Sequence, residues 1–351
     1  MTECFWDGLK GETRPIVLYG TGNGADKILD ILAGFGIPVR AVFASDGFVR
    51  NRTFRGFQVR SYEEVRAEFG DDMVILLAFG TNRPEVMERI RELDARHTLL
   101  IPEVPLFGGD LFDGAYYDRN KERIGEVRSL FREERSAALF DAAVEFRLTG
   151  RLSCLSDTET FAASCASLLG GQKIGTAVDG GAFRGDTAED IRSALDPEKI
   201  LALEPDPKTF EKLRLYALDH PGTEAVNAAL WDGDGEISFL SGGSRGSGTE
   251  GAGRRSSPKT VRALTLDSLA PGNRIDFIKL DVEGAELRAL RGGRKVIERD
   301  RPNLAVSLYH RTEDLLALTE EVHSYLPGHR LYLRRVPCVP MWDLTLWAVR
   351  A

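Results

Sequence analysis

Thr176-Ala-Val-Asp-Gly-Gly-Ala-Phe-Arg-Gly-Asp-Thr187 is the stretch of this chain that decides its fold. A short apolar run ending at Val178 predicts a buried strand, and the glycines after Asp179 open a predicted helix. A strand that ends in a glycine turn before a helix lets backbone N–H groups and the helix N-terminus approach a ligand closely. We therefore predict a ligand-binding βα unit at this position.

A second acid follows at the end of the next predicted strand. Lys199–Leu203 has the pattern of that strand, and Glu204 comes directly after it. Its distance from the glycine turn is near the offset of about 20 residues at which a strand-end acid reaches the ribose hydroxyls of a nucleotide. A third predicted strand, over 223–230, contains Asn227 and small residues that leave room for an adenine ring. Together these features predict an adenosine-type cofactor.

Strand and helix patterns alternate in two separate parts of the chain. In residues 16–101, apolar runs alternate with amphipathic helices, as in half of a doubly wound sheet. Between the two parts, residues 128–148 predict one continuous helix, and Ser156 or Asp157 is placed to cap another. We predict a Rossmann-like nucleotide-binding-type domain at 1–105, a helical linker at 106–170 and a larger α/β domain at 171–351.

The composition excludes several classes of protein. The chain has 351 residues, more than the roughly 250–300 at which single cores usually divide. Its net charge of −8 argues against general affinity for nucleic acid or anionic membranes. No apolar run approaches the ~20 residues of a membrane span, and the first residues lack the features of a signal peptide. We expect a cytoplasmic protein with unpaired cysteines and no metal–thiolate site.

The most specific motif is Asp276-Phe-Ile-Lys-Leu-Asp-Val-Glu-Gly-Ala-Glu286. It has the pattern of a buried strand that ends at an acid, Asp281, and turns at Gly284 into a helix. Its companions along the chain are VDGGAFRGDT, LALEPDP, VNAALWD and LTLDSL. This series resembles the FkbM family of S-adenosylmethionine-dependent methyltransferases over roughly residues 174–349. Gly180 stands where that family often has Val or Ile.

The resemblance implies an α/β fold in which a Rossmann-like, seven-stranded class I methyltransferase domain follows a smaller Rossmann-like domain and a helical linker. It implies the strand order 3-2-1-4-5-7-6, S-adenosylmethionine as cofactor, and mainly O-methylation, often of sugars or secondary metabolites. The partner is then a small-molecule hydroxyl acceptor, with no nucleic acid and no membrane. The cofactor-binding residues that we predict are Asp179, Gly180, Gly181, Ala182, Gly185, Thr187, Glu204, Asn227, Ala228 and Asp281.

The implied strand order also predicts where the chemistry takes place. Asp281 and His310 fall at or just beyond the carboxyl ends of neighbouring strands, where ligands bind in open α/β sheets. We predict that Asp281, His310 and Glu283 lie near the reactive methyl group. A carboxylate or an imidazole there can take the proton of the acceptor hydroxyl. Alternatively, a divalent cation such as Mg²⁺, held by Asp281 and His310, lowers the pKa of that hydroxyl.

The first part of the chain carries a glycine turn of its own. Tyr19-Gly-Thr-Gly-Asn-Gly-Ala25 follows a predicted strand and Asp46 follows the next one, which fits a dinucleotide fingerprint in outline. An NAD(P)-dependent oxidoreductase or epimerase is therefore the alternative function, and a non-enzymatic binding protein is a third. Because no catalytic group is visible beside this turn, we favour a domain for dimerisation or substrate docking, and a homodimer stays open.

A Gly- and Ser-rich segment over 241–258 has too few apolar residues to bury a core. It joins elements on the ligand side of the second sheet. We therefore predict that it is a lid, which orders over the substrate.

Overall fold

The computed structural model describes residues 4–45, 47, 49, 52–240, 258–269 and 271–351. Asp46, the acid in the outline of a dinucleotide fingerprint, lies outside the described residues. So does the predicted lid over 241–258, apart from Pro258.

Residues 5–100 form a first unit built on a six-stranded sheet. Its elements are α1 (Phe5–Lys10), β1 (Ile16–Tyr19), α2 (Asn23–Gly34), β2 (Ala41–Phe43), β3 (Thr53–Phe54), β4 (Phe57–Arg60), α3 (Tyr62–Phe69), β5 (Val74–Leu77), α4 (Pro84–Arg96) and β6 (Thr98–Leu100). The strand order is β3-β4-β2-β1-β5-β6. Only β3, at one edge, pairs antiparallel with its neighbour among the described strands. The central strands β1 and β5 are buried along their whole length, as expected of parallel strands covered on both faces.

Local sequence sets the helix ends of this unit. Ser61 begins α3 with a capping box: its hydroxyl accepts from the N–H of Glu64, whose carboxylate accepts from the N–H of Ser61. This reciprocal pair satisfies two N–H groups that a helix start otherwise leaves open. Pro84 occupies the first turn of α4, where its missing N–H costs nothing.

Three helices follow: α5 (Gly114–Ser129), α6 (Glu134–Thr149) and α7 (Phe161–Leu169). The prediction of one helix over 128–148 is wrong, because the chain breaks between α5 and α6. Phe131 lies in that break, buried and packed on Phe140, so the apolar spacing continues although the helix does not. Thr160 caps α7 instead of Ser156 or Asp157, since the Asp157 carboxylate pairs with Arg135 at 2.7 Å.

The second unit contains a seven-stranded sheet. Its elements are β7 (Thr176–Gly180), α8 (Asp186–Leu195), β8 (Lys199–Leu203), α9 (Pro207–Asp219), β9 (Thr223–Val226), β10 (Ala229–Leu230), β11 (Gly235–Leu240), β12 (Pro258–Leu264), α10 (Leu266–Leu269), β13 (Phe277–Leu280), α11 (Glu286–Gly292), α12 (Arg294–Asp300), β14 (Asn303–Ser307), α13 (Asp314–Tyr325), β15 (His329–Arg335) and β16 (Leu344–Arg350). The order β15-β16-β14-β13-β7-β8-β9 is 3-2-1-4-5-7-6 when these strands are counted along the chain. This confirms the predicted fold class.

The strand predicted over 223–230 is divided between two sheets. β9 completes the edge of the large sheet, and β10 pairs with β12 in a three-stranded sheet of order β10-β12-β11. The division occurs at Ala228, whose N–H turns back to the carbonyl of Val226. A periodic apolar run cannot reveal such a change of partner, because both halves are strands.

The units share a core. The largest cluster of buried apolar side chains extends from the first sheet through α5 and α6 to one face of the second sheet. A smaller cluster, which includes Phe277 and Trp347, covers the opposite face of the second sheet under α7 and α8. In the part of the chain that the structure describes, no helix combines the length and the apolarity that crossing a membrane requires.

Candidate functional site

A cleft of about 980 Å³, including solvent at its mouth, opens at the carboxyl edge of the large sheet. Three neighbouring strands, β13, β7 and β8, bring an acid to this edge: Asp281 after β13, Asp179 near the end of β7, and Glu204 after β8. The cleft is lined by Gly181, Phe183, Asp186, Thr187, Leu203, Glu204, Pro205, Asp206, Thr209, Ala228, Ala229, Leu230, Trp231, Phe239, Lys279, Asp281, Val282, Glu283, Ala285 and Tyr309.

The glycine turn after β7 forms the floor of the cleft. Gly181 has a φ of 75°, and a Cβ at this position would collide with the carbonyl oxygen of Asp281. Gly185 has a φ of 97° and packs so tightly on the Tyr216 ring that a Cβ would lie 2.5 Å from it. Both positions therefore need glycine, for backbone conformation and for close approach.

A buried ammonium ion fixes this turn. Lys279 Nζ lies 3.0 Å from Asp179 Oδ1 and donates to the carbonyls of Gly181 at 2.9 Å and Gly180 at 3.2 Å. Burial by itself would lower the pKa of Lys279, but the carboxylates of Asp179 and Asp281 outweigh it and raise that pKa. The sequence analysis missed this residue, although it stands inside the most specific motif. The signal that could have revealed it is a single lysine within an otherwise apolar, buried strand.

Glu204 lies on the wall of the cleft and is 7% exposed. Its Oε1 accepts from the backbone N–H of Asp206 at 2.8 Å. Burial raises the pKa of the Glu204 carboxyl to about 7. The neighbouring Asp206 caps α9, where its side chain accepts from two backbone N–H groups. The wall therefore carries an acid poised to accept hydrogen bonds and held by its own backbone.

Asn227 does not line the cleft. Its side-chain amide donates to the carbonyls of Glu204 at 2.8 Å and Pro205 at 3.2 Å, so it secures the loop after β8. The predicted space for an adenine ring is bounded instead by Ala228 and by two aromatic residues that the sequence analysis did not single out, Trp231 and Phe239.

The other end of the cleft contains Asp281, Glu283 and Tyr309. The Tyr309 hydroxyl donates to Asp281 Oδ1 at 3.0 Å. Burial by itself would raise the pKa of Asp281, but Lys279 and the imidazole of His310 hold that pKa below its usual value. Glu283 has a φ of 54°, which is rare for a residue with a side chain. Such strained positions cluster at active sites.

His310 lies behind these acids and does not line the cleft. Its Nδ1 is 3.0 Å from Glu286 Oε1, and its Nε2 is 3.5 Å from Glu283 and 3.6 Å from Asp281. Burial by itself would lower the pKa of His310, but the carboxylates of Glu286 and Glu283 outweigh it and raise that pKa well above its usual value. The sequence analysis missed the first of these partners, Glu286, which begins α11.

Donor atoms of Asp281, Glu286 and His310 lie within 4.8 Å of one another. The second oxygen of Glu286, Oε2, is buried and receives no hydrogen bond from the described residues. Two carboxylates and an imidazole form a donor set that fits a divalent cation. A divalent cation at this place would have Asp281, His310 and, in addition to the predicted ligands, Glu286 around it.

The predicted site residues fall into two groups. Those that line the cleft are Gly181, Thr187, Glu204, Ala228, Asp281 and Glu283. Those that do not line it are Asp179, Gly180, Ala182, Gly185, Asn227 and His310. Two members of the second group contact residues that do line the cleft, Asp179 with Lys279 and His310 with Glu283.

Comparison with solved structures gives one match to the fold over 98% of the chain. The crystal structure of the methyltransferase FkbM from Methylobacillus flagellatus KT matches with a TM-score of 0.69 over 98% of this chain and 92% of its own, at 19% sequence identity. An rRNA methylase from Streptococcus thermophilus matches 54% of this chain and 93% of its own, at 14% identity and a TM-score of 0.34. A precorrin-6y C5,15-methyltransferase from Geobacter metallireducens GS-15 matches 54% of this chain and 87% of its own, at 13% identity and a TM-score of 0.35.

A search for curated relatives finds no match. Among family models, the description "Methyltransferase FkbM domain" matches residues 179–334. This range begins at the acid of the glycine turn and includes every side chain that lines the cleft.

Proposed function

We propose that this chain, a methyltransferase with an FkbM domain at residues 179–334, transfers the methyl group of S-adenosylmethionine to a hydroxyl oxygen of a sugar or secondary metabolite. One observation carries the proposal. A single cleft has a hydrogen-bond-accepting acid, Glu204, on one wall, and an ionised carboxylate, Asp281, bonded to Tyr309 at its other end. The first suits a ribose and the second suits an acceptor hydroxyl.

The cofactor would lie along the carboxyl edge of the sheet. Glu204 would accept from its ribose hydroxyls, and Trp231 and Phe239 would pack on its adenine. Its methionyl part would follow the turn at Gly181 and reach the hydroxyl of Thr187. This direction brings the sulfonium toward Asp281 and Glu283, whose negative charges stabilise a nearby cation.

Methyl transfer is an in-line displacement at the sulfonium carbon. As the acceptor oxygen forms its bond to the methyl carbon, the carbon–sulfur bond breaks and S-adenosylhomocysteine leaves. The hydroxyl proton has to go to a base, and alignment of the two reactants supplies much of the rate. Asp281 is the suited base, because its lowered pKa keeps it ionised and it lines the cleft.

His310 is not the base in this scheme, although an imidazole at this place predicts one. Its raised pKa means that the imidazole already carries a proton, so it is a poor acceptor for a second one. Its positive charge instead stabilises the carboxylates of Asp281 and Glu283. The alternative is a divalent cation such as Mg²⁺ at Asp281, Glu286 and His310, which would lower the pKa of the acceptor hydroxyl.

The remaining expectations stay part of the proposal. They are the division of the chain near residues 105 and 170, a cytoplasmic location, a small-molecule acceptor in place of nucleic acid or membrane, and an open question of homodimer formation. The rival function, NAD(P)-dependent oxidation or epimerisation, would use the glycine turn of the first unit.

Calorimetric titration with S-adenosylhomocysteine and with NAD(H) separates the two functions. We expect S-adenosylhomocysteine to bind and Glu204→Ala to weaken it. Small molecules that copurify with the protein, identified by mass spectrometry, supply acceptors for assays with methyl-labelled cofactor. Activity that EDTA abolishes and Mg²⁺ restores would select the metal version, and activity indifferent to EDTA would select Asp281 alone. Binding of NAD(H) without binding of S-adenosylhomocysteine would overturn the proposal.

A further inference from the structure

The first unit has the topology of a nucleotide-binding sheet. Its chain proceeds from β1 outward through β2 to β4, then returns to the other side of β1 with β5. In doubly wound sheets, ligands bind at the carboxyl ends of the two strands where this reversal occurs. The residues that follow β1 and β5 therefore decide whether this crevice is open.

Aromatic rings fill the carboxyl ends of its central strands. Tyr19 at the end of β1 stacks on Phe43 at the end of β2, with ring centroids 4.5 Å apart. Phe79, two residues after β5, meets the edge of the Tyr19 ring at 4.9 Å. Tyr19 and Phe43 are 3% and 1% exposed. These rings form a packed surface where a pyrophosphate would need free polar groups, and the hydroxyl of Tyr19 is already hydrogen-bonded to Ser45 at 2.7 Å.

The glycines of the first turn serve contacts within the unit. A Cβ at Gly20 would lie 2.9 Å from Phe79 Cδ1, and one at Gly24 would lie 2.7 Å from the carbonyl oxygen of Ala78. Both glycines let α2 and its turn pack directly on the end of β5. Their presence is explained without a bound dinucleotide.

The loop between β15 and β16, from the second unit, packs on the residues that follow β5. Thr81 and Val339 exchange two backbone hydrogen bonds of 2.8 Å each, directly beyond β5. Trp342 lies against Gly80 so closely that a Cβ there would collide with its ring. The same loop continues into β16, where the carbonyl of Leu344 accepts from the N–H of Leu308.

A second contact from the first unit reaches the turn that carries Asp281 and Glu283, by way of residues 105–107. Lys27 on α2 donates to the carbonyls of Pro105 and Leu106, at 2.6 and 2.7 Å. The next residue, Phe107, donates its N–H to the carbonyl of His310 at 3.1 Å and is buried. A Cβ at Gly284 would lie 2.9 Å from the Phe107 ring, so this ring supports the turn from behind.

We propose that the first unit is a brace for the methyl-transfer site, and that its crevice holds the β15–β16 loop of its own chain in place of a dinucleotide. Two positioning residues connect the first unit to that site: Lys27 on α2, and Trp342 on the β15–β16 loop. Lys27 acts through 105–107 on the turn that carries Asp281 and Glu283, and Trp342 acts through β16 on the end of β14 that carries Tyr309. This inference rests on the proposed function in one respect: that function identifies the supported site as the place of methyl transfer.

The first test is titration of the whole chain with NAD⁺, NADH and NADPH. Calorimetry measures binding of all three nucleotides, and fluorescence measures binding of the two reduced ones. We expect no binding up to about 1 mM, a limit of about 4 kcal/mol. Saturable binding below that concentration would overturn the brace, since the loop and the nucleotide occupy the same crevice. Binding of S-adenosylhomocysteine, measured in the same samples, tests the proposed function separately.

The second test is hydrogen exchange in Lys27→Met and Trp342→Ala. Each should speed exchange about tenfold in the peptides covering 281–287 and 305–312, because each removes one support of that edge. Lys173→Met, an exposed lysine on the second unit, is the matched control and should exchange like the wild type. Trp342→Phe should restore most of the protection if Trp342→Ala unfolds the protein. Unchanged exchange at 281–287 and 305–312 in folded Lys27→Met and Trp342→Ala would overturn the brace.

Discussion

The two sheets of this chain begin with the same backbone design and end in opposite chemistry. In each, a buried strand runs into a glycine turn and a helix, next to a parallel strand from the other side of the reversal. At the carboxyl edge of the first sheet stand Tyr19, Phe43 and Phe79. At the same edge of the second sheet stand acids, with Glu204 and Asp281 exposed to a cleft.

The contrast extends to one position inside the strands. Lys279 on β13 is in register with Asp179 on β7, and the two form an ion pair. At the corresponding place in the first sheet, Leu76 on β5 is in register with Leu18 on β1, and both are fully buried. A glycine turn therefore makes a close approach possible, but the side chains at the strand ends decide whether a ligand or the protein itself makes use of it.

The largest effect should come from removing the buried cation. Lys279→Met leaves Asp179 buried without its partner, which typically costs about 3–5 kcal/mol of unfolding free energy. Denaturant unfolding followed by circular dichroism measures it. The matched variant, Leu76→Met at the corresponding place in the first sheet, should cost less than about 1.5 kcal/mol. Equal losses of unfolding free energy in the two variants would show that the ion pair of the second sheet contributes no more to stability than the leucine contact of the first.

Loss of the proposed base comes next. Asp281→Asn should lower the rate of methyl transfer about 100-fold or more, because an amide cannot take the hydroxyl proton. Affinity for S-adenosylhomocysteine should change far less, which calorimetry checks. Asp232→Asn, at a half-exposed carboxylate paired with Arg288, is the control. Normal turnover in Asp281→Asn would remove this residue from the chemistry.

His310→Ala should also impair transfer more than cofactor binding, because Asp281 and Glu283 then lose a positive neighbour. The double variant with Asp281→Asn should be little worse than either single one, since residues that serve one step are not additive. Steady-state rates of the three variants decide this. Fully multiplicative losses would show that the two residues act separately.

Cofactor affinity should depend on the protonation of Glu204. Its carboxyl has a pKa of about 7, raised by burial, so it is mostly protonated at about pH 6 and mostly ionised at about pH 8. The ionised form accepts from ribose hydroxyls more strongly than the protonated form, so affinity should rise with pH across this range. Glu204→Gln should bind about tenfold more weakly at high pH, or about 1.4 kcal/mol, and lose the pH dependence. Parallel pH profiles for variant and wild type would contradict this assignment.

The smallest effect concerns the first sheet alone. Ser61→Ala removes one half of the capping box at α3 and should cost about 1 kcal/mol of stability. Thermal unfolding measures the loss. Affinity for S-adenosylhomocysteine should stay at the wild-type value, because α3 does not contact the cleft. A large loss of affinity would show that α3 influences the cofactor site, against this expectation.

Features encoded by neighbouring residues were predictable from the sequence. The alternation of strands and helices over residues 16–101 depends on local periodicity, and the structure has it. The acids at 204 and 281 could be placed because each directly follows an apolar run. The strand order came from the family resemblance, since apolar patterns do not say which strands pair.

Features that depend on contacts distant in sequence were not predictable. The partner of Lys279 is decided by the register between β13 and β7. The hydrogen bond from Tyr309 to Asp281, and the packing of Trp342 on Gly80, need the finished fold. The amide of Asn227 could point to a ligand or to the backbone, and its sequence neighbours do not distinguish these directions.

The place of β16 has a consequence for how the protein is made. This strand lies between β14 and β15 and pairs with both, although it is the last of the sixteen described strands to leave the ribosome. The first sheet, contiguous in sequence, has all its strands available early in translation, and domains generally fold as they emerge. The second sheet cannot be completed until β16 is synthesised, and until then the edge of β14 has no partner on that side. Nascent chains arrested before residue 344 should therefore expose that edge and depend on chaperones.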